Sequence, residues 1–129
     1  MTDTLQAKTA YAKLPARDLE RARRFYDEKL GLRPFGEHGP HLYYEVGGAR
    51  FLLFQSAGEP TGSHDQMGFV VDNIKARVGE LRERGVVFED YDHTVDGIAD
   101  FGEVRAAWFK DTEGNLLNLI EGASAMLSG

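Results

Sequence analysis

The sequence predicts an α+β fold made of two βαβββ modules, each a small sheet with one helix covering one face. Three observations predict it. A strand–helix–stop pattern occurs twice: Tyr11 and Gln66 stand 55 positions apart, as do Leu19 and Ile74, while Gly31 and Gly85 stand 54 apart. Two segments carry amphipathic helical periodicity with their own start and stop signals. Short stretches with strand periodicity follow each helix, separated by glycine-bearing turns.

In chain order, residues 9–14 alternate as a strand. Asp18 then caps a helix running through Lys29, with Leu19, Ala22, Phe25, Tyr26 and Leu30 on one stripe. Gly31 stands where a left-handed C-terminal residue is wanted. Strands are read at 33–37, 41–46 and 50–56, the last two joined by a tight Gly47-Gly48 hairpin. The Gly/Pro-rich stretch from Ser56 to His64 reads as a connector. The second half opens with a strand at 66–71. Asp72 or Asn73 caps a helix through Arg84 that carries Ile74, Val78 and Leu81 on its stripe and stops at Gly85. Strands at 86–91, 104–110 and 116–121 complete it, with Gly114 placed for positive φ in the last turn. Module one spans about 8–56, the connector 57–64 and module two about 65–121, within one domain. One face of each sheet is left without a helix, and it must cover either a partner or a cavity.

Composition narrows the function. The 129 residues are 42% hydrophobic and 28% charged, enough for a core without covalent staples. With no cysteine, disulfides, thiolate metal sites and cysteine nucleophiles are excluded, and a reducing cytoplasm is the expected compartment. The formal net charge is −6, the wrong sign for a nucleic-acid partner. The basic run Arg17 to Arg24 is interrupted by Asp18 and Glu20 and reads as a solvated helix face. Apolar runs reach four or five residues, too few for a membrane span, and the first residues lack the basic and apolar regions of a signal peptide.

Three motifs in order carry a family resemblance: Leu14-Pro-Ala-Arg-Asp-Leu-Glu-Arg-Ala-Arg-Arg-Phe-Tyr-Asp-Glu-Lys-Leu-Gly-Leu32, then Phe69-Val-Val-Asp-Asn-Ile74 with Leu81-Arg-Glu-Arg-Gly-Val86, then Trp108-Phe-Lys-Asp-Thr-Glu-Gly-Asn-Leu-Leu-Asn-Leu-Ile120. Together they resemble the vicinal-oxygen-chelate superfamily of glyoxalases, bleomycin resistance proteins and extradiol dioxygenases, over roughly residues 8–121. The resemblance implies that the modules roll into a cup-shaped mixed sheet with the helices outside, usually within a homodimer. It also implies four metal-ligand positions, one on the first and one on the last strand of each module, occupied by His, Glu or Gln in metal-dependent members. Here those positions carry Tyr11, Gln66, Asn118 and Leu53 or Leu52, the glycine turn leaving that last register open. Leucine cannot ligate and amides are weak donors without anionic neighbours, so no metal and no other cofactor is expected. His64 and His41 read as solvent-facing or structural.

Strand alternation then describes the cup. Tyr11 and Lys13 face inward from the first strand, with Gln66, Gly68 and Val70 from the fifth, Trp108 and Ala106 from the seventh, and Leu116, Asn118 and Ile120 from the last. Phe35, Tyr43 or Tyr44, Leu53 and His93 are further lining candidates. An aromatic lining with amides, a lysine and hydroxyls suits a flat or amphipathic small molecule. The expected function is metal-independent sequestration of such a ligand, as in antibiotic resistance. The alternative is a glyoxalase-like lyase, isomerase or dioxygenase-related enzyme, and a third reading is an accessory interaction domain.

Overall fold

The computed structural model describes residues 4–58 and 60–122. Eleven elements follow in order: β1 (Ala12–Ala16), α1 (Leu19–Glu28), β2 (Gly36–His38), β3 (His41–Val46), β4 (Ala49–Gln55), β5 (Met67–Val70), α2 (Ile74–Glu83), β6 (Thr94–Val95), β7 (Ile98–Asp100), β8 (Arg105–Lys110) and β9 (Leu116–Glu121). They form two mixed sheets, ordered β1-β4-β3-β2 and β5-β9-β8-β7-β6. The expected α+β pair of modules is therefore present. No helix among the described residues is long and apolar enough to cross a membrane.

The first strand starts later than its alternation suggests. Its parallel pairing with β4 runs from Ala12↔Phe51 to Ala16↔Gln55. Pro15 is accommodated because β1 is an edge strand, where a missing N–H costs no ladder bond. Both helices start as their capping residues dictate. The Asp18 carboxylate accepts from Arg21 N at 3.0 Å. Asn73, at φ +53°, accepts from Ala76 N; asparagine is among the few non-glycine residues that visit this region readily.

The second module departs from expectation after α2. Residues 86–91 form only a bridge, Phe88↔Phe109, with Glu89 N bonded to Trp108 O. A hairpin of β6 and β7 extends the sheet instead, turning at Asp96-Gly97, both with positive φ. Asp-Gly is a strong signal for this kind of hairpin, and the reading by periodicity passed over it because the strands are only two and three residues long.

One core serves both modules. Leu14, Ala22, Tyr26, Tyr44, Phe51 and Leu53 of the first share a buried cluster with Ile74, Val78, Phe88, Phe109, Leu117 and Leu119 of the second. Phe51 meets Phe69 edge-on at 6.4 Å. The helix-covered faces thus turn toward a common interior, and the other two faces turn away from it.

The β8–β9 turn pins the modules together. Asp111 accepts from Tyr26 Oη at 2.8 Å, from Asn115 Nδ2 at 2.9 Å, and from the backbone N–H groups of Glu113 and Asn115. Asn115 Nδ2 also donates to Pro15 O at 3.0 Å. Glu113 receives Arg21 through Nε at 2.8 Å and Nη2 at 3.0 Å, and the Asp18 N–H at 3.0 Å. Burial pushes the Asp111 carboxyl above its ordinary range, against its hydrogen bonds. Burial pushes Glu113 the same way, but Arg21, Asp18 and Thr112 outweigh it and hold that carboxyl at about 2.

Candidate functional site

The antiparallel register of β3 and β4 decides which face each residue of the first sheet occupies. Leu42 pairs with Leu53 and Tyr44 with Phe51, while Tyr43 pairs with Leu52. Leu53 is 0% exposed and Tyr44 1%, both in the core. Tyr44 stacks on Phe51 at 5.0 Å, and burial pushes its hydroxyl up to about 12. Of the Leu52/Leu53 and Tyr43/Tyr44 alternatives, the open face therefore holds Leu52 and Tyr43. Leu53 and Tyr44 are corrected to core residues: their side chains lie under α1, on the side away from the open face.

On that open face Tyr43, Leu52 and Lys13 form one cross-strand row. Lys13 Nζ lies 4.6 Å above the Phe54 ring, and the Arg50 guanidinium 5.0 Å from the centre of Phe35. Tyr11 precedes β1 instead of belonging to it and is 60% exposed. It lines a shallow cavity of about 160 Å³ with Phe35, Tyr43, Arg50 and Leu52.

The second sheet presents a matching row: Gly68, Asn118 and Trp108 pair across β5, β9 and β8. The Asn118 carboxamide lies directly over Gly68; a β-carbon there would meet Asn118 Oδ1 at 2.1 Å. The pair opens onto a cavity of about 540 Å³ at the junction with Ala12, Arg50 and Phe51 of the first module. Gln66 is held aside by its bond to Asn115 Oδ1 at 3.1 Å, with its own Oε1 buried and unpartnered.

Beside this row four rings meet. Trp108 is edge-on to Tyr91 at 5.6 Å and to His93 at 5.8 Å. Tyr91 and His93 stack at 5.9 Å with an 11° interplanar angle, and Phe101 approaches His93 at 5.8 Å. Thr94 fixes the loop that presents them, its N–H donating to Tyr91 O and its hydroxyl accepting from the Tyr91 N–H. Trp108 Nε1 points at Asp65 Oδ2, 3.4 Å away. Burial pushes the Tyr91 hydroxyl up, and the nearby Glu89 and Asp65 charges act in the same direction. Despite these contacts, Phe101 is still 61% exposed. The arrangement offers ring faces and edges for stacking, with carboxylates at its margin.

Tyr91, Phe101 and Asp65 escaped the sequence reading. The signal for Phe101 was the Asp96-Gly97 turn, which places β7 and the residue after it on the growing edge of the sheet. Tyr91 and His93 are brought together by a loop clip that no periodicity announces.

The residues do not fit the divalent ion that metal-dependent relatives would hold. The four positions offer an exposed phenol at Tyr11, an amide already bonded at Gln66, an amide folded over a glycine at Asn118 and an aliphatic side chain at Leu52 or Leu53. None is anionic, and among the described residues no three His, Asp or Glu side chains converge as a ligand group. Hard divalent ions call for oxygen donors that carry charge.

Comparison with known proteins places the fold in a family. The family model Glyoxalase/Bleomycin resistance protein/Dioxygenase superfamily matches residues 8–119. No curated protein matches the sequence. Among solved structures, a glyoxalase family protein from Bacillus anthracis superposes with a TM-score of 0.73 at 19% identity, covering 95% of this chain and 99% of that one. A glyoxalase/bleomycin resistance protein/dioxygenase from Nocardioides gives 0.68 at 21%, covering 92% and 86%. The fosfomycin resistance protein of Listeria monocytogenes, solved with Mn(II) and a dihydroxypropylphosphonic acid, gives 0.64 at 14%, covering 88% of each chain. At these identities the likeness is one of fold.

Proposed function

Because the chain belongs to the glyoxalase/bleomycin resistance protein/dioxygenase superfamily, we propose that it is a metal-independent binding protein that holds a small aromatic or amphipathic molecule on the open face of its second sheet. The observation that carries this reading is the cluster of Tyr91, His93, Phe101 and Trp108 beside the Gly68–Asn118 pair. Phe101 is 61% exposed and Tyr91 38%, and contiguous exposed aromatic surface marks a binding site more often than scattered rings do. Trp108 and Asn118 are the central ligand contacts, and Lys13, Phe35, Tyr43 and Tyr11 supply the facing wall.

Those two groups sit on faces turned away from the shared core, so a second copy completes the cup. Its first module, carrying Lys13, Arg50 and exposed aromatic rings, lies over the ring cluster and Asp65 of the other. The protein works as a homodimer in the cytoplasm, which its lack of cysteine suits. Stoichiometric capture of an antibiotic is the biological role this reading implies.

Trp108 is the single tryptophan of the chain, so its fluorescence reports on the site directly. Titration with bleomycin and a panel of planar natural-product antibiotics is expected to give saturable quenching and a raised melting temperature for at least one of them. If the whole panel changes neither, sequestration is wrong. Elemental analysis of the purified protein is expected to find no stoichiometric Zn, Ni, Fe or Mn; finding one would restore the enzyme reading. A monomeric mass by light scattering would remove the dimer.

A further inference from the structure

The shared core has an opening of its own, away from the open faces. The C-terminal ends of α1 and α2 approach each other, and between them lies a cleft of about 330 Å³ walled by Leu30, Leu32, Val46, Phe69, Leu81 and Leu119. Arg77, Glu80 and Arg84 stand at its mouth. Arg77 is bonded to Glu80 at 2.8 Å. Arg84 makes no side-chain hydrogen bond or ion pair among the described residues. Its guanidinium lies over the turn that ends α1, 3.6 Å from where a β-carbon of Gly31 would be. Reciprocally, Lys29 Nζ lies over the turn that ends α2, 3.4 Å from the corresponding position at Gly85.

Cations near helix C-termini are favourable in themselves. Here, though, the terminal carbonyls already have backbone partners: Gly31 N bonds Asp27 O, Leu32 N bonds Tyr26 O, and Val86 N bonds Leu81 O. Capping of those carbonyls thus calls for neither basic side chain, and it leaves the open apolar wall behind them unexplained. An unpaired guanidinium at the mouth of an apolar cleft, in a chain of net charge −6, is a local reversal of charge that selects an anion.

We propose that this cleft is a second ligand site, separate from the ring cluster, for a small organic monoanion: a carboxylate on a short apolar tail. The tail packs against Leu30, Phe69, Leu81 and Leu119, and the carboxylate pairs with Arg84, with Lys29 adding charge at the same end. A volume of about 330 Å³ is at the low end for small-molecule sites (roughly 300–1,000 Å³), so the tail is short.

The test is a methyl-detected NMR titration of the full chain with sodium octanoate, with 1-octanol and octyltrimethylammonium as comparison probes. Octanoate is expected to shift the methyl signals of Leu30, Val71 and Leu81 saturably while the Trp108 indole signal stays in place. Arg84→Gln, an exposed substitution, is expected to weaken octanoate roughly fivefold, as for a well-formed exposed ion pair, and to leave octanol unchanged. The proposal is overturned if no cleft methyl shifts saturably, if octyltrimethylammonium binds as tightly as octanoate, or if octanoate moves Trp108 instead. It is equally overturned if the same methyls shift with protein concentration alone, which would make the cleft a contact between copies. Failure at the cleft methyls leaves antibiotic binding at Trp108 standing, and failure of the antibiotic panel leaves the cleft standing, so the two readings fail separately.

Discussion

Glu113→Gln isolates one charge in the junction between the modules. The substitution keeps the shape and an acceptor for the Asp18 N–H but removes the negative partner of Arg21. Glu113 is held at about 2 against an ordinary 4.5, a difference corresponding at full value to roughly 3 kcal/mol. The Glu113 side chain is fully covered, but Arg21 is nearly half exposed, and solvent screening of that partner cuts the figure by about half, to ~1.5 kcal/mol. A carboxyl whose folded pKa is depressed stabilises above its unfolded value and loses that contribution as pH falls through the folded one. The contribution is therefore complete above pH 4.5 and fades toward pH 2. Asp111 is shifted in the opposite sense, since burial raises it, and it is present in both proteins. Urea unfolding of both proteins at fixed protomer concentration, from pH 7 down to 2.5, is the assay. The variant is expected to be less stable by ~1.5 kcal/mol at pH 7, with the gap closing below pH 4.5. A gap that stays constant over that range would refute the assignment of Glu113 as a charged staple.

Other outcomes follow from the same contacts. Tyr26→Phe keeps the buried ring but removes the hydroxyl that donates to Asp111; it is expected to cost about 1.5–3 kcal/mol in denaturant unfolding, the range for a hydrogen bond to a charged group. Gly68→Ala forces Asn118 off the strand surface, because the new methyl would lie 2.1 Å from its Oδ1. A stability loss of about 1–3 kcal/mol is expected from this overpacking, and ligand quenching of Trp108 should weaken more than the melting temperature alone would suggest. Trp108→Ala is expected to abolish antibiotic binding, measured by calorimetry, while leaving the far-UV circular dichroism unchanged; retained affinity would move the ligand elsewhere.

Most of the fold was legible because it is carried by local signals that tertiary structure had no reason to override. Asp18 and Asn73 cap, Gly31 and Gly85 stop, and the strand alternation in Met67, Phe69, Leu117, Leu119 and Phe109 separates core from open face as expected. The candidate site was legible in part. Trp108 and Asn118 share a row because their strands pair in the register that alternation implies. The choices between Leu52 and Leu53 and between Tyr43 and Tyr44 stayed open because a two-glycine turn leaves the parity of both flanking strands undetermined, and a shift of one residue moves every side chain to the other face.

The amino-acid order by itself determined the two modules and their helices, since each depends only on residue type and spacing. Tertiary structure decided the rest. The hydrogen bonds of Asp111, Asn115 and Glu113 to Tyr26, Pro15 and Arg21 turn the helix-covered faces inward together and leave the ring cluster facing out. Those contacts join residues some 85 to 100 positions apart, a separation at which no periodicity in the sequence carries information.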